Sequence, residues 1–193
     1  MDIVLYLFTT HIILYWITSF FYIYKYNQRL QGNWHAVNNV LVNQLVVTPL
    51  YWVAFNYYPD PLSVYHVVWQ LPLIVVLTDL IFYVLHRLFH WNKTIYNNVH
   101  KIHHDYDPPI ACAGLYCHPI EHLCVNLAST VFPMFAVHAS LTVALLWTTI
   151  ASINVVISHS NIHGGAHTTH HKYLNCNYGV GGLFMDRMFN TLR

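Results

Sequence analysis

The segment VVWQLPLIVVLTDLIFYVLHRLFH, from Val67 to His90, decides the fold. Its apolar part, Val67 to Phe89, suits a helix across a hydrocarbon core about 30 Å thick, which takes about 20 residues. The segment holds one acid, Asp79, and closes on His86 and His90, an i, i+4 pair whose rings share a helix face. One metal ion can use both rings. A span that ends in stacked imidazoles therefore places a metal-ligand motif where lipid meets water.

Two stretches of similar size precede it, Ile3 to Tyr24 and Val40 to Tyr58, so three crossings are expected. The first has neither a basic leader nor a small-residue cleavage site, and reads as a retained span rather than a signal peptide. Shorter apolar runs, Leu123 to Val137 and Leu141 to Ile157, meet near His138 and predict a spanning or re-entrant hairpin. The expected class is all-α: a polytopic membrane helix bundle, three spans plus a short helical hairpin, with a His-rich cytosolic cap. No repeat, low-complexity tract or boundary divides it. Residues 1–193 read as one membrane domain, with N-terminal spans in 1–70 and the motif-bearing core in 71–193.

Composition agrees with that reading. Of 193 residues 56% are apolar and 8% charged, where soluble domains carry about 25% charge, which excludes a water-soluble globule. A net charge of +1 provides no basic field for nucleic acid. The cations fall after the first span (Lys25, Arg29), after the third (Arg87, Lys93, Lys101) and after the hairpin (Lys172, Arg187, Arg193). Cationic loops stay cytosolic, so the N-terminus is expected outside and the histidine clusters on the cytosolic face. Asn92-Lys93-Thr94 spells a glycosylation sequon but falls on that face, where it is expected to stay unmodified. Cys112, Cys117, Cys124 and Cys176 form no C-x-x-C pair and read as free, buried thiols.

Sixteen histidines are the feature that requires a chemical explanation. Ten fall in four clusters: His86 and His90; His100, His103 and His104; His159 and His163; His167, His170 and His171. Neighbouring residues on a helix diverge by about 100°, so the adjacent pairs can serve two different metals. Two ions with four or five ligands each consume eight to ten donors, and the count favours a dinuclear site over a single zinc. Imidazole suits iron, copper, nickel and zinc alike; being a neutral ligand, it favours the ferrous state where the metal is iron.

Around the clusters, Asp79 lies two turns before His86 and is expected to orient His86 or His90 through the second ring nitrogen, with Tyr83 as a further neighbour. His118-Pro119-Ile120-Glu121-His122 matches the inverted zinc-protease signature, but that reading leaves ten clustered histidines unexplained. His118 is instead expected beside the site, as a peripheral ligand or a group that orients one. His11, His35, His66 and His138 read as polar residues at span ends. A metal transporter is the rival class, and it predicts charge near the midplane of several spans; Asp79 is the one acid inside an expected span. Apolar spans beside the site offer a lipid-soluble substrate a dry approach.

Taken in order, these motifs resemble the fatty acid hydroxylase and sterol desaturase superfamily of membrane di-iron oxygenases, and within it the 4-methyl sterol oxidase branch. The resemblance runs from about Leu71 to Arg193. It rests on Asp79 and Tyr83 ahead of His86 and His90, on His100, His103 and His104 followed by Asp105 and Tyr106, and on His118-Pro119-Ile120-Glu121. It continues through His159-Ser160 and through His167, His170 and His171 into Asn177-Tyr178-Gly179 and Asp186-Arg187. The stretch from His159 to His167 is compressed relative to the family, and Asn190 stands where a glycine is usual. The resemblance implies two iron ions, dioxygen as oxidant, and electrons from NAD(P)H through a reductase and a cytochrome b5-type carrier. It further implies an endoplasmic-reticulum type membrane and a sterol or fatty acyl substrate that is hydroxylated or desaturated. The ten clustered histidines are then the candidate ligands, with Asp79 and His118 the candidate catalytic residues beside them. A family member that keeps its metal for stability alone is the remaining alternative.

Overall fold

Twenty-three mostly apolar and aromatic residues without glycine, proline or acid form α1, Ile3–Lys25, whose helical hydrogen bonds satisfy the backbone along its interior. The computed structural model describes residues 3–28, 34–54, 64–162 and 165–193, with side chains for all of these except 3–4, 46–54 and 64. Helix α2 is Trp34–Ala54 and α3 is Val64–Trp91. Asn92 then caps α4, Lys93–Ile95, its side-chain oxygen accepting from the Thr94 and Ile95 amides at 3.0 and 3.1 Å. The chain continues through a π turn, Tyr96–His100, and a 3-10 turn, Lys101–Asp105. A short 3-10 turn at Ala111–Ala113 precedes α5, Pro119–Glu121, which runs through a π segment, His122–Leu127, into α6, Ala128–Ala136. Helix α7 is Leu141–His159, α8 is Ala166–Tyr173 and α9 is Phe184–Met188. Every regular element among the described residues is helical.

The outer spans match the expected boundaries to within three residues. The second differs, because α2 starts at Trp34 rather than Val40; residues 55–58 of the expected span lie outside the described ones. Asn39, Asn43 and Gln44 give α2 a polar inner face. Asn43 Nδ2 donates to the carbonyls of Leu115 and Cys117 at 3.0 and 2.9 Å, while Asn39 Oδ1 accepts from the Cys117 amide. Three helices among the described residues are long and apolar enough to cross a membrane, within α1, α3 and α7. The hairpin is thus unequal: α7 is a full-length span, whereas its partner is built in two registers around the π segment.

Two side chains fix the directions. Gln28, just past α1, donates to the Ser160 carbonyl just past α7 at 2.6 Å, so these two packed helices run parallel. Gln70, in the first turns of α3, donates to the carbonyls of Val137 and His138 and accepts from the Ser140 amide, clamping the α6–α7 turn at the start of α3. The C-terminal ends of α1, α3 and α7 therefore gather at one end of the bundle. Between helices, Thr78 bonds the Ser129 carbonyl and Trp147 the Thr130 carbonyl, at 3.0 and 2.9 Å. Outward, Ile17, Val68 and Phe132 are more than 60% exposed, an apolar surface that suits lipid and not water.

The C-terminal segment closes the histidine-bearing end. Asp79, fully buried, does not reach His86 or His90. Its two oxygens accept from the amides of Val180 and Met185, both at 2.9 Å. Asp186 accepts from the amides of Tyr178 and Gly179 and from the Thr191 hydroxyl. Two residues past α9, Asn190 sits at φ 55°, a left-handed position that asparagine tolerates, which accounts for the residue found where glycine is usual. Gly179 sits between the carboxylates, and a Cβ there would lie 2.6 Å from Asp79 Oδ1 and 2.7 Å from Asp186 Oδ2. Hydrogen bonds hold both acids, so neither swings away freely. Gly179→Ala is expected to cost about 1–3 kcal/mol, measured as a lower thermal midpoint in detergent; an unchanged midpoint contradicts the clamp.

Candidate metal centre

Four segments bring nine of the ten candidate ligands together, in two groups. His86, His90, His100, His104 and His170 form one; His103, His159, His167 and His171 form the other; within each, one ring nitrogen per residue lies within 4.8 Å of all the rest. His163 lies outside the described residues. The adjacent pairs divide as their spacing predicts: His103 and His104 go to different groups, and so do His170 and His171. On α8, His167 and His171 share one group at i, i+4 while His170 turns to the other. The π turn followed by a 3-10 turn does the same for His100 and His104 against His103. The groups share a wall, with the His104 ring 4.6 Å from that of His171 and 5.4 Å from that of His103.

The outward nitrogens explain why the inward ones converge. His86 Nδ1 lies 2.8 Å from the Tyr178 carbonyl, His103 Nδ1 3.1 Å from that of Tyr116 and His159 Nδ1 2.8 Å from that of Val155. His170 Nδ1 is 2.7 Å from the Cys176 carbonyl and His171 Nδ1 3.1 Å from that of Tyr106. A carbonyl only accepts, so each Nδ1 carries the hydrogen and each Nε2 presents a lone pair inward. Asp79 thus supports His86 at one remove, by holding the segment that carries the Tyr178 carbonyl.

Inside the groups, His90 Nε2 is 2.8 Å from His100 Nε2, 3.0 Å from His170 Nε2 and 3.2 Å from His104 Nε2. In the other group His167 Nε2 is 2.9 Å from His159 Nε2 and 3.1 Å from His171 Nε2. One ring carries too few hydrogens to bond three such neighbours, and His86 Nε2 is buried with no partner. Imidazole nitrogens about 2.0–2.1 Å from one transition-metal ion stand about 3 Å apart when adjacent in its coordination sphere. These residues fit a pair of metal ions.

Glu121, set aside in the sequence as part of a protease motif, is the main residue that sequence reasoning missed. It is buried, and Oε1 lies 2.8 Å from His100 Nδ1, the one outward nitrogen here that meets a carboxylate. Its available signal was that of a lone acid opening an apolar run. His118 stands apart: partly buried, it caps α5 by accepting from the Ile120 amide at 3.2 Å and joins neither group. Tyr83 bonds Arg87 and Thr191 and stacks on Phe189. Cys112, Cys117 and Cys176 are buried free thiols, whereas Cys124 is exposed.

Two cavities adjoin the groups. One of about 230 Å³ is lined by His86, His103, His159, His167 and Glu121. The other, about 210 Å³, lies among apolar side chains of α1, α3 and α7. They share Phe82, Asn126, Asn154, Val155, Val180 and Gly181 as a common wall.

Burial lowers the pKa of His103, His104, His167 and His171 and takes that of His170 from 6.5 down to about 3. At pH 7 these rings are neutral, the form that binds metal. The unfolded chain takes up protons as pH falls below about 6.5, the folded site only near 3, so stability is lost across that window. Metal-free protein in detergent is expected to unfold at a lower temperature at about pH 5 than at about pH 7.5; an equal midpoint contradicts neutral packing. Glu121→Gln is expected to weaken metal retention roughly 10–100-fold, read as metal content after dialysis against graded chelator.

Comparison with known proteins places this geometry in context. The family model described as fatty acid hydroxylase matches residues 71–191. Fatty acid hydroxylase domain-containing protein 2 of Homo sapiens is 31% identical over 175 residues, 81% of this chain and 51% of that protein. The Delta(7)-sterol 5(6)-desaturase of Candida dubliniensis is 31% identical over 135 residues, 66% of this chain and 35% of that one. Methylsterol monooxygenase 2-2 of Arabidopsis thaliana is 32% identical over 133 residues, 60% of this chain and 49% of that one. The chain spans about half the length, or less, of these relatives. No solved structure matches it. Because the matched region runs from ahead of His86 to beyond His171 and takes in both imidazole groups, this multi-pass membrane protein belongs to the fatty acid hydroxylase family.

Proposed function

We propose that residues 1–193 form one membrane domain, with a motif-bearing core in 71–193, that acts as a di-iron oxidoreductase hydroxylating or desaturating a lipid. The observation that carries this reading is the gathering of nine imidazoles into groups of five and four, each beside a cavity or a wall of one. A pair of iron ions bound there would supply dioxygen activation and the oxidant that takes hydrogen from a C–H bond.

The chain's own residues do the rest. His86, His90, His100, His104 and His170 hold one ion, and His103, His159, His167 and His171 the other; His163 is the tenth ligand expected from sequence. The carbonyls of Tyr178, Tyr116, Val155, Cys176 and Tyr106 keep the Nδ1 hydrogens outward, and Glu121 strengthens His100 as a donor. Asp79 is a positioning residue that acts through the Tyr178 segment. His118 takes the helix-capping role its contact supports. Apolar residues of the spans exclude water and admit the lipid.

Relatives named as a sterol desaturase and a methylsterol monooxygenase favour a sterol, and one named as a fatty acid hydroxylase keeps an acyl chain in play. The positive-inside pattern supports a cytosolic metal site, and the family resemblance supports an endoplasmic-reticulum type membrane with a cytochrome b5-type carrier and a reductase drawing on NAD(P)H. In membranes supplied with both, iron and oxygen, the wild type is expected to form oxidised lipid detectable by mass spectrometry. His103→Ala is expected to lower it by more than about tenfold. Equal lipid profiles for the two would remove the enzymatic reading.

A further inference from the structure

The apolar cavity among the spans carries a polar patch on its wall. Gln44 Nε2 donates to His11 Nε2 at 3.2 Å; His11 Nδ1 then donates to Ser152 Oγ at 2.8 Å, and Ser152 donates to the Thr148 carbonyl at 2.6 Å. Trp16 Nε1 donates to Gln44 Oε1 at 3.0 Å. His11 is therefore held in one tautomer inside the bundle, not at a span end as the sequence alone predicts.

His122 lines the same cavity and differs from His11 in one respect. It is only 4% exposed, yet its Nδ1 has no hydrogen-bond partner among the described residues. The π segment that begins at His122 turns it into this cavity, while Glu121 just before it faces His100. Buried polar atoms without a partner are rare in native structures, and one that lines a ligand-sized space is explained by a ligand that completes the bond. None of the described residues lining this cavity is Lys, Arg, Asp or Glu. A carboxylate or phosphate would lose its hydration with no counter-charge in return, whereas a hydroxyl both donates to and accepts from a neutral imidazole.

Resting on the lipid-oxidase reading above, we propose that His122, backed by the His11–Gln44–Ser152 network, binds the hydroxyl of a neutral lipid alcohol and so sets which carbon reaches the metal ions. Ser152, bonded to His11 in that network, precedes His159 by seven residues on α7, an axial rise of about 10 Å.

The test uses the full metal-loaded chain in detergent micelles and two labelled probes, octadecan-1-ol and octadecane, corrected for partition into protein-free micelles. The wild type is expected to bind the alcohol about tenfold more tightly than the alkane. His122→Phe is expected to erase that preference while leaving octadecane binding unchanged, and His122→Asn, which returns a polar group near Nδ1, to restore part of it. A wild type that binds both probes equally, or neither, overturns the proposal, as does a preference that survives in His122→Phe. Metal content and thermal midpoint reveal a variant that fails to fold, and the wild-type ratio then decides alone. A chain that prefers the alcohol but oxidises no lipid keeps the subsite and removes the oxidase reading; an active chain without the preference does the reverse.

Discussion

Nine imidazoles, six buried and three half-buried, turn toward one another and present more lone pairs than hydrogens, and that imbalance governs the rest of the molecule. Backbone carbonyls or a carboxylate claim the outward nitrogens of His86, His100, His103, His159, His170 and His171, which sends the inward lone pairs into spaces about 3 Å across. Neutral rings packed this way are unfavourable without a cation between them, and favourable with one. Folding of this end of the bundle and the binding of a metal there would thus be parts of one equilibrium. Four of the five accepting carbonyls, those of Tyr106, Tyr116, Cys176 and Tyr178, come from loops, so those loops must be fixed as firmly as the helices. That is the purpose of the buried Asp79 and Asp186 carboxylates, which accept from the amides of Tyr178, Gly179, Val180 and Met185.

Helix direction works to the same end. The C-termini of α3, α7 and α8 carry His86 and His90, His159, and His170 and His171. The carbonyl end of a helix bears a partial negative charge that favours a nearby cation. Three such ends converge on ligands that contribute no charge themselves. Glu121 adds the one carboxylate in contact with the rings described. Two metal ions held there would have their charge offset mainly by dipoles, which would leave them electrophilic.

The sequence made the ligand groups legible because side-chain direction on a helix follows from spacing alone: i, i+4 pairs meet and adjacent residues part. It was equally plain for α1, α3 and α7, whose long apolar runs have no competing structure. Three features were not legible. Helix α2 begins earlier than hydropathy indicates, because His35 and Asn39 in its first turns are satisfied by the Tyr116 hydroxyl and the Cys117 amide, partners that only the tertiary structure supplies. Asp79 points at amides 101 and 106 residues away, contacts no local pattern encodes. Glu121 lay inside a motif with a different meaning elsewhere, and its contact with His100 depends on where a π segment starts.

Neighbouring residues that serve different spaces recur throughout: His103 with His104, His170 with His171, and Glu121 with His122. On a regular helix, neighbours diverge by about 100°, enough to feed two sites that share a wall but too little to face opposite ways. Where divergence alone suffices, as in α8, the helix stays regular. Where one side chain must reach the metal groups and the next a cavity among the spans, the helix changes register, since α5 gives way to a π segment at His122. A one-residue deletion that returned this stretch to a uniform α-helix would rotate one of the two away from its target. The irregular helix is therefore the feature that couples the lipid-facing cavity to the metal centre, and the spacing between them is set by the backbone rather than by any single side chain.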